Sequence, residues 1–410
     1  MIKDTIYNQR DASKLFLYFS LLILFLTGFP LAQGWLPIGD FRPRVLFLLV
    51  ALALYPKRFL SKDLIWLYLF FIYQTVAYLL SDTILEPINL LSRLMEYLVP
   101  IIIVPTALAI KSNNYRIVGK YAVVTTILTV LLTLSVVSLF PDIIRDMVTH
   151  SAWDGIDVVR NYWRMGVCSY SFALIMMCIP PILLQRFFLS QRRWEKILYI
   201  LFCLLITYFV YVAQVTTTFF ICLIMLFLVW FTRRMSMKKT IIWVALLILL
   251  GLLSLNVLLP LLLKLFGVET EIGLHLLGMN QFLFEGGTVS NDAYAVDKRA
   301  ELYEFSINAF IRHPLFGTIT ERIGGHNFGL DTLARFGLVG SLPLFLFFYN
   351  RFRITSSYMS ETDKKLYLII VIGFVALLFT KNVVGIDHWA YLFLYIPCFL
   401  RMTNTEKNRI

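Results

Sequence analysis

The side chains able to carry chemistry in this chain are few. His326 stands between Gly324-Gly325 and Asn327. Imidazole exchanges its proton near neutral pH, so His326 is the best general-base candidate. Paired glycines before it let the backbone approach a ligand closely. Four arginines stand out beside it. Arg93 lies in an apolar run with Glu96 three residues on, which places both on one helical face. That pair reads either as a structural ion pair or as part of a charged socket. Arg160 and Arg164 are one helical turn apart at the head of another apolar run, and Arg299 begins an amphipathic stretch before His326. Arginine cannot lose its charge and presents a planar fork of donors, which suits phosphate and pyrophosphate. Snorkelling to lipid headgroups is the other reading of Arg164 and Arg299. His150, His275, His313 and His388 show no metal-ligand pairing, and the five cysteines all fall inside apolar runs. Neither a metal centre nor a disulfide framework is therefore expected, and no cofactor is implied. No phosphate-cradling loop and no nucleophile elbow can be read.

The elements that must position these residues are set by composition. Of 410 residues 59% are hydrophobic and 15% charged, too few charges to cover a water-soluble surface. Apolar runs near 14–30, 43–56, 64–80, 89–110, 120–140, 166–187, 196–213, 215–231, 240–264, 328–349, 366–382 and 386–401 have the length and character of membrane helices. The expected fold is an all-α membrane protein with about 12 transmembrane helices. The first run follows a polar stretch and reads as a signal anchor. With the N-terminus cytoplasmic, inside segments hold 24 of the 37 Lys and Arg but 7 of the 25 Asp and Glu. This is the positive-inside pattern, so the net charge of +12 records membrane orientation and contact with anionic lipid, and no nucleic-acid partner is expected. Both termini then lie in the cytoplasm.

Organisation follows from the same count: helices one to nine in 1–264, a large outside loop in 265–327, and helices ten to twelve in 328–410. Within the loop, Asp297 to His313 reads as a helix ended by Pro314. Leu302, Phe305 and Ala309 share a face that could rest on the membrane interface. Gly317 and Gly324-Gly325 mark turns before the tenth span.

From about Arg299 onward the chain resembles the O-antigen ligase and polymerase superfamily of bacterial membrane glycosyltransferases. The residues carrying the likeness are Arg299, Asn308-Ala309-Phe310, His313-Pro314-Leu315-Phe316-Gly317, His326-Asn327 and, nine residues on, Gly337-Leu338-Val339-Gly340. Arg164-Met165-Gly166 is similar to an arginine-x-glycine element of these proteins. The resemblance implies metal-independent transfer of an undecaprenyl-pyrophosphate-linked oligosaccharide on the outer face of the inner membrane. Arg160, Arg164 and Arg299 would hold the pyrophosphate, His326 with Arg299 would be catalytic, and Asn327, Gly317, Gly337 and Gly340 would support them. Where ligases of the family carry serine-arginine-glycine, this chain has Gln214-Val215-Thr216-Thr217-Thr218, without arginine. That departure favours a polymerase of O-antigen or capsule repeat units over a ligase that uses lipid A core. The partners implied are the lipid-linked oligosaccharide, the bilayer, and a chain-length regulator or flippase of the same lipopolysaccharide-type pathway. A transporter of lipid-linked glycan is the reading from another class.

Overall fold

In a computed structural model of the chain, every regular element among the described residues is helical. The structure describes residues 17–26, 28–35, 49–50, 53, 64–80, 115–141, 143–144, 156–213, 215–253, 255–267, 273, 277, 280, 294–318, 321, 323–325, 327–381 and 386–407, with the backbone alone at 156–158, 247–253, 255–256, 266, 294–300, 386 and 403–407. The elements are α1 (Leu17–Leu26), α2 (Pro30–Trp35), α3 (Ile65–Leu80), α4 (Tyr115–Val137), α5 (Ile156–Arg164), α6 (Tyr170–Leu189), α7 (Arg193–Val212), α8 (Thr216–Thr232), α9 (Met237–Leu253), α10 (Leu255–Phe266), α11 (Tyr294–Arg312), α12 (Phe328–Ser357), α13 (Glu361–Leu378) and α14 (386–407). Among the described residues, α4, α6, α7 and α12 are long and apolar enough to cross a bilayer, and α1, α3 and α8 are shorter apolar helices. Among the described residues the protein is all-helical, with the long apolar helices of a membrane protein. The run 89–110, with Arg93 and Glu96, lies outside the described residues, as does nearly all of 43–56.

The chain divides into two compact units. The first comprises Met1–Ile175, Ser341–Asp363 and Val384–Ile410, the second Met176–Gly340 and Lys364–Val383.

In the first unit, α4 and α14 run antiparallel. Tyr121 and Tyr395 meet with ring centroids 5.9 Å apart, the Thr126 and Tyr391 hydroxyls are 2.6 Å apart, and the Arg401 guanidinium sits 4.6 Å from the Tyr115 ring. Pro397 has no N–H to give the carbonyl four residues back, and α14 widens into a π turn over Tyr391–Tyr395 just before it. There the Ile396 N–H reaches the Tyr391 carbonyl instead. Ser360 and Asp363 cap α13: the Asp363 N–H donates to Ser360 Oγ at 3.2 Å, and the hydroxyl donates to the carboxylate at 2.7 Å.

In the second unit, α7 folds back on the C-terminal half of α6 through a three-residue turn, where Ser190 Oγ donates to Glu195 at 2.6 Å. Ile197, Leu201, Leu204 and Tyr208 project outward from α7, the surface a membrane helix offers to lipid. The last carbonyls of α8 have no partner within the helix. Buried Lys365 supplies one: its ammonium donates to Thr232 O at 2.7 Å, Met235 O at 2.9 Å and Arg233 O at 3.3 Å.

Candidate active site

The residues singled out after Arg299 fall in the second unit and mostly pack together. Helix α11 spans Tyr294–Arg312, three residues more at its start than the spacing suggests, and it ends at Pro314 as expected. Its inner face is the one expected to meet the membrane. Ala309 and Ser306 are buried, Leu302 backs onto Gly324, and Tyr303 donates to the Thr380 carbonyl at 3.1 Å. The stripe read from Leu302, Phe305 and Ala309 therefore meets protein rather than lipid, because a period of 3.6 locates an apolar face without naming what covers it. Arg299 lies in the first turns of α11, where the backbone alone is described.

Asn327 is the hub. It is buried and stands at the start of α12, where its Oδ1 accepts the Leu330 N–H at 2.9 Å. That bond satisfies one of the donors every helix start leaves over. Its Nδ2 donates to the Phe379 carbonyl, and its own N–H donates to Asp331 Oδ2 at 3.0 Å. The other oxygen of Asp331 accepts from Ser306 at 2.5 Å, and the Ser306 oxygen accepts the Gly324 N–H at 2.9 Å. Thus the segment on either side of residue 326 is tied to α11, α12 and the end of α13. His326 itself lies outside the described residues, as does Arg322.

Gly317 and Gly337 interlock. Gly337 has φ 61° and ψ −169°, a conformation open essentially to glycine, and it breaks α12. A β-carbon on it would lie 2.4 Å from the Leu315 carbonyl, and one on Gly317 (φ 73°) would lie 2.3 Å from that of Arg335. A break in a membrane helix strands backbone groups that lipid cannot satisfy. The loop after α11 satisfies them. Leu338 N–H donates to Pro314 O at 2.9 Å, Val339 N–H to Leu315 O at 3.0 Å, and Thr318 N–H to Ala334 O at 2.9 Å. Gly340 is buried just beyond the break. At the same loop, Glu321 accepts from His313 at 2.8 Å and lies 3.6 Å from Arg312.

Arg160 and Arg164 belong to the first unit, one turn apart on α5. Arg164 Nε donates to Gly34 O at 3.0 Å, its Nη1 to Asn161 at 3.3 Å, and the guanidinium lies 5.8 Å from the Trp35 ring. The two helix backbones touch there, since a β-carbon on Gly34 would fall 2.4 Å from Arg164 N. Arg164 is exposed and Arg160 half-buried. Four of the sequence-derived residues (Asn327, Gly317, Gly337 and Gly340) are thus gathered on one broken helix and its loop, with Arg299 on the adjoining α11.

Sequence reasoning passed over Ser306, Asp331 and Tyr303, which lock that loop. Asp331 had a signal, a carboxylate one turn after a capping asparagine. It also passed over a small cavity within the first unit, about 30 Å³ in volume, where Asp387, Tyr121, Tyr391 and Thr125 line the wall together with Leu24, Phe29 and Phe172. Asp387 is buried and accepts from Ser169 Oγ at 2.6 Å. The volume suits a water or two, not a sugar. Among the described residues no cluster of His, Cys, Asp or Glu is arranged to hold a metal ion. No protein-family model matches the chain, and comparison with curated proteins finds no significant relative.

Proposed function

We propose that this protein is a membrane glycosyltransferase of the O-antigen polymerase kind, extending a glycan carried on undecaprenyl pyrophosphate. The observation that supports the reading is the Gly317–Gly337 interlock. Residues that carry the likeness in sequence, from His313-Pro314-Leu315-Phe316-Gly317 to Gly337-Leu338-Val339-Gly340, join as one unit of backbone hydrogen bonds, with Asn327 capping the same helix. In this account Arg299 binds the departing pyrophosphate and stabilises the charge that builds as the sugar–phosphate bond breaks. His326 takes the proton of the attacking acceptor hydroxyl. The acceptor is a second lipid-linked repeat unit, and the site faces away from the cytoplasm across the inner membrane. A chain-length regulator or flippase of the same pathway is the protein partner that this reading implies.

The test uses purified protein in detergent with lipid-linked oligosaccharide alone. Lengthened glycan and released undecaprenyl pyrophosphate are the expected products. A product that forms only when lipid A core is added identifies a ligase. Buried Asp387 favours a second reading, transport, because a carboxylate among membrane helices is a usual mark of a pathway. Substrate recovered unchanged from folded protein decides for that reading.

A further inference from the structure

Within the second unit, the turns joining α6 to α7 and α8 to α9 lie side by side, and both are basic. Between residues 186 and 239 the chain holds eight Lys and Arg against one acidic residue, Glu195. Arg192 and Arg193 stand at the first turn and Arg233, Arg234, Lys238 and Lys239 at the second, all six exposed. The Arg233 guanidinium sits 4.8 Å from the ring of Phe188 in the last turn of α6, which brings the two sets together. That contact leaves its N–H groups available to an acceptor. Glu195 lies 3.6 Å from Arg192. The side chains of Arg193, Arg234, Lys238 and Lys239 meet no acceptor among the described residues. Lys365 fixes the second turn from behind, through the carbonyls of Thr232, Arg233 and Met235. Like charges gathered so closely repel one another, and a bound polyanion offsets that cost.

We propose that this end of the second unit binds one phospholipid with two phosphates, of the cardiolipin type, one phosphate at each turn. Charge complementarity calls for an anion, and the tryptophans call for a lipid. Trp194 adjoins Arg193, Trp230 comes one turn before Arg233, and Trp243 comes one turn after Lys239; all three are exposed. Exposed indole at the ends of membrane helices marks the headgroup level, and α6 and α7 are long and apolar enough to cross the bilayer. The guanidinium groups therefore stand at the depth of lipid phosphates, where their planar donors pair with phosphate oxygens. Two cationic turns held together by Arg233 and Phe188 suit two linked phosphates better than one.

Native mass spectrometry of the delipidated full chain in detergent tests this, with cardiolipin, phosphatidylglycerol or phosphatidylcholine as the added lipid. One cardiolipin should be retained, more tightly than phosphatidylglycerol, and phosphatidylcholine should not displace it. Arg193→Gln combined with Arg234→Gln removes one cation from each turn without breaking a contact among the described residues. It should weaken cardiolipin binding roughly tenfold or more, the usual worth of two surface cations toward anionic lipid. Its unfolding midpoint without lipid should match the parent's. Arg116→Gln combined with Lys120→Gln, at the start of α4, should bind cardiolipin like the parent. Equal weakening in both double variants overturns the proposal in favour of attraction spread over the whole basic surface, as does unchanged binding in the first. Phosphatidylglycerol held as tightly as cardiolipin overturns the two-phosphate site. Inorganic pyrophosphate held as tightly, and lost in the same variant, overturns it in favour of a soluble anion.

Discussion

Gly337 and Gly317 are positions where a side chain of any kind conflicts with the backbone of its neighbour. At Gly337 an alanine meets both a positive φ and a carbonyl group 2.4 Å away. The backbone strain is worth about 1–3 kcal/mol, and overpacking adds roughly as much again. Gly337→Ala should therefore lower thermal stability in detergent far more than Gly325→Ala. Gly325 has φ 75° but open space around it, so only the strain applies. Equal losses at the two positions would contradict the interlock. For Asn327, removal of the side chain leaves the Leu330 N–H and the Phe379 carbonyl without their partner. Asn327→Ala should cost about 2–3 kcal/mol, combining the loss of a cap with that of a buried hydrogen bond. Asn327→Asp keeps the cap acceptor but not the donor to Phe379, and should fall between. Unfolding monitored by circular dichroism in the same detergent checks the order. The glycines and Asn327 were legible in the sequence because their type is required by the backbone. Ser306 was not, since a serine in a helix carries no sign of the carboxylate it will meet.

Elements were legible to the extent that one physical rule governs them. Helices α4, α6, α7, α8 and α12 follow the apolar runs because a bilayer sets their length. The interruptions follow residue chemistry: Pro397 accounts for the π turn, and Gly337 for the break in α12. What covers each face was not legible, as α11 shows by turning its Leu302–Ala309 side to protein. Nor was the role of Lys365, which in the sequence is one of many basic residues near a helix end. In the structure it closes α8 by donating to three carbonyls. Lys365→Met keeps the length of the side chain and removes the donors. Charged hydrogen bonds are worth about 1.5–3 kcal/mol each when a partner is lost, with less than additive totals. A loss of roughly 2–4 kcal/mol is expected on that basis, read as a lower midpoint in detergent unfolding. Lys365→Arg, which keeps charge and donors, should recover part of it. If the methionine variant is as stable as the parent, the cap contributes nothing.

At the scale of the molecule, charge and function make separate demands. If the basic segments lie on the cytoplasmic side, the number of crossings is even, and a reporter fused after Arg409 should score cytoplasmic and one inserted near Gly287 periplasmic. Both on one side would refute the twelve-helix arrangement while leaving the interlock untouched. The pairing of α4 with α14 and the capping of α8 by Lys365 each join ends that the charge count puts on the cytoplasmic side. The chemical claim rests on Arg299 and His326, and it is tested by turnover of purified variants on lipid-linked oligosaccharide. Arg299→Lys keeps the charge but loses the fork, and should lower turnover by about 10²–10³-fold, the usual effect of losing one preorganised donor. His326→Ala should lower it by about 10²–10⁴-fold, as expected for a general base. In the parent protein the rate should fall as the medium is acidified through the range in which imidazole takes up its proton. Arg322→Lys, in the same loop but outside the family-like pattern, should stay near the parent rate. Full activity in both Arg299→Lys and His326→Ala, with loss in Arg322→Lys, would contradict the account and move the chemistry away from this loop.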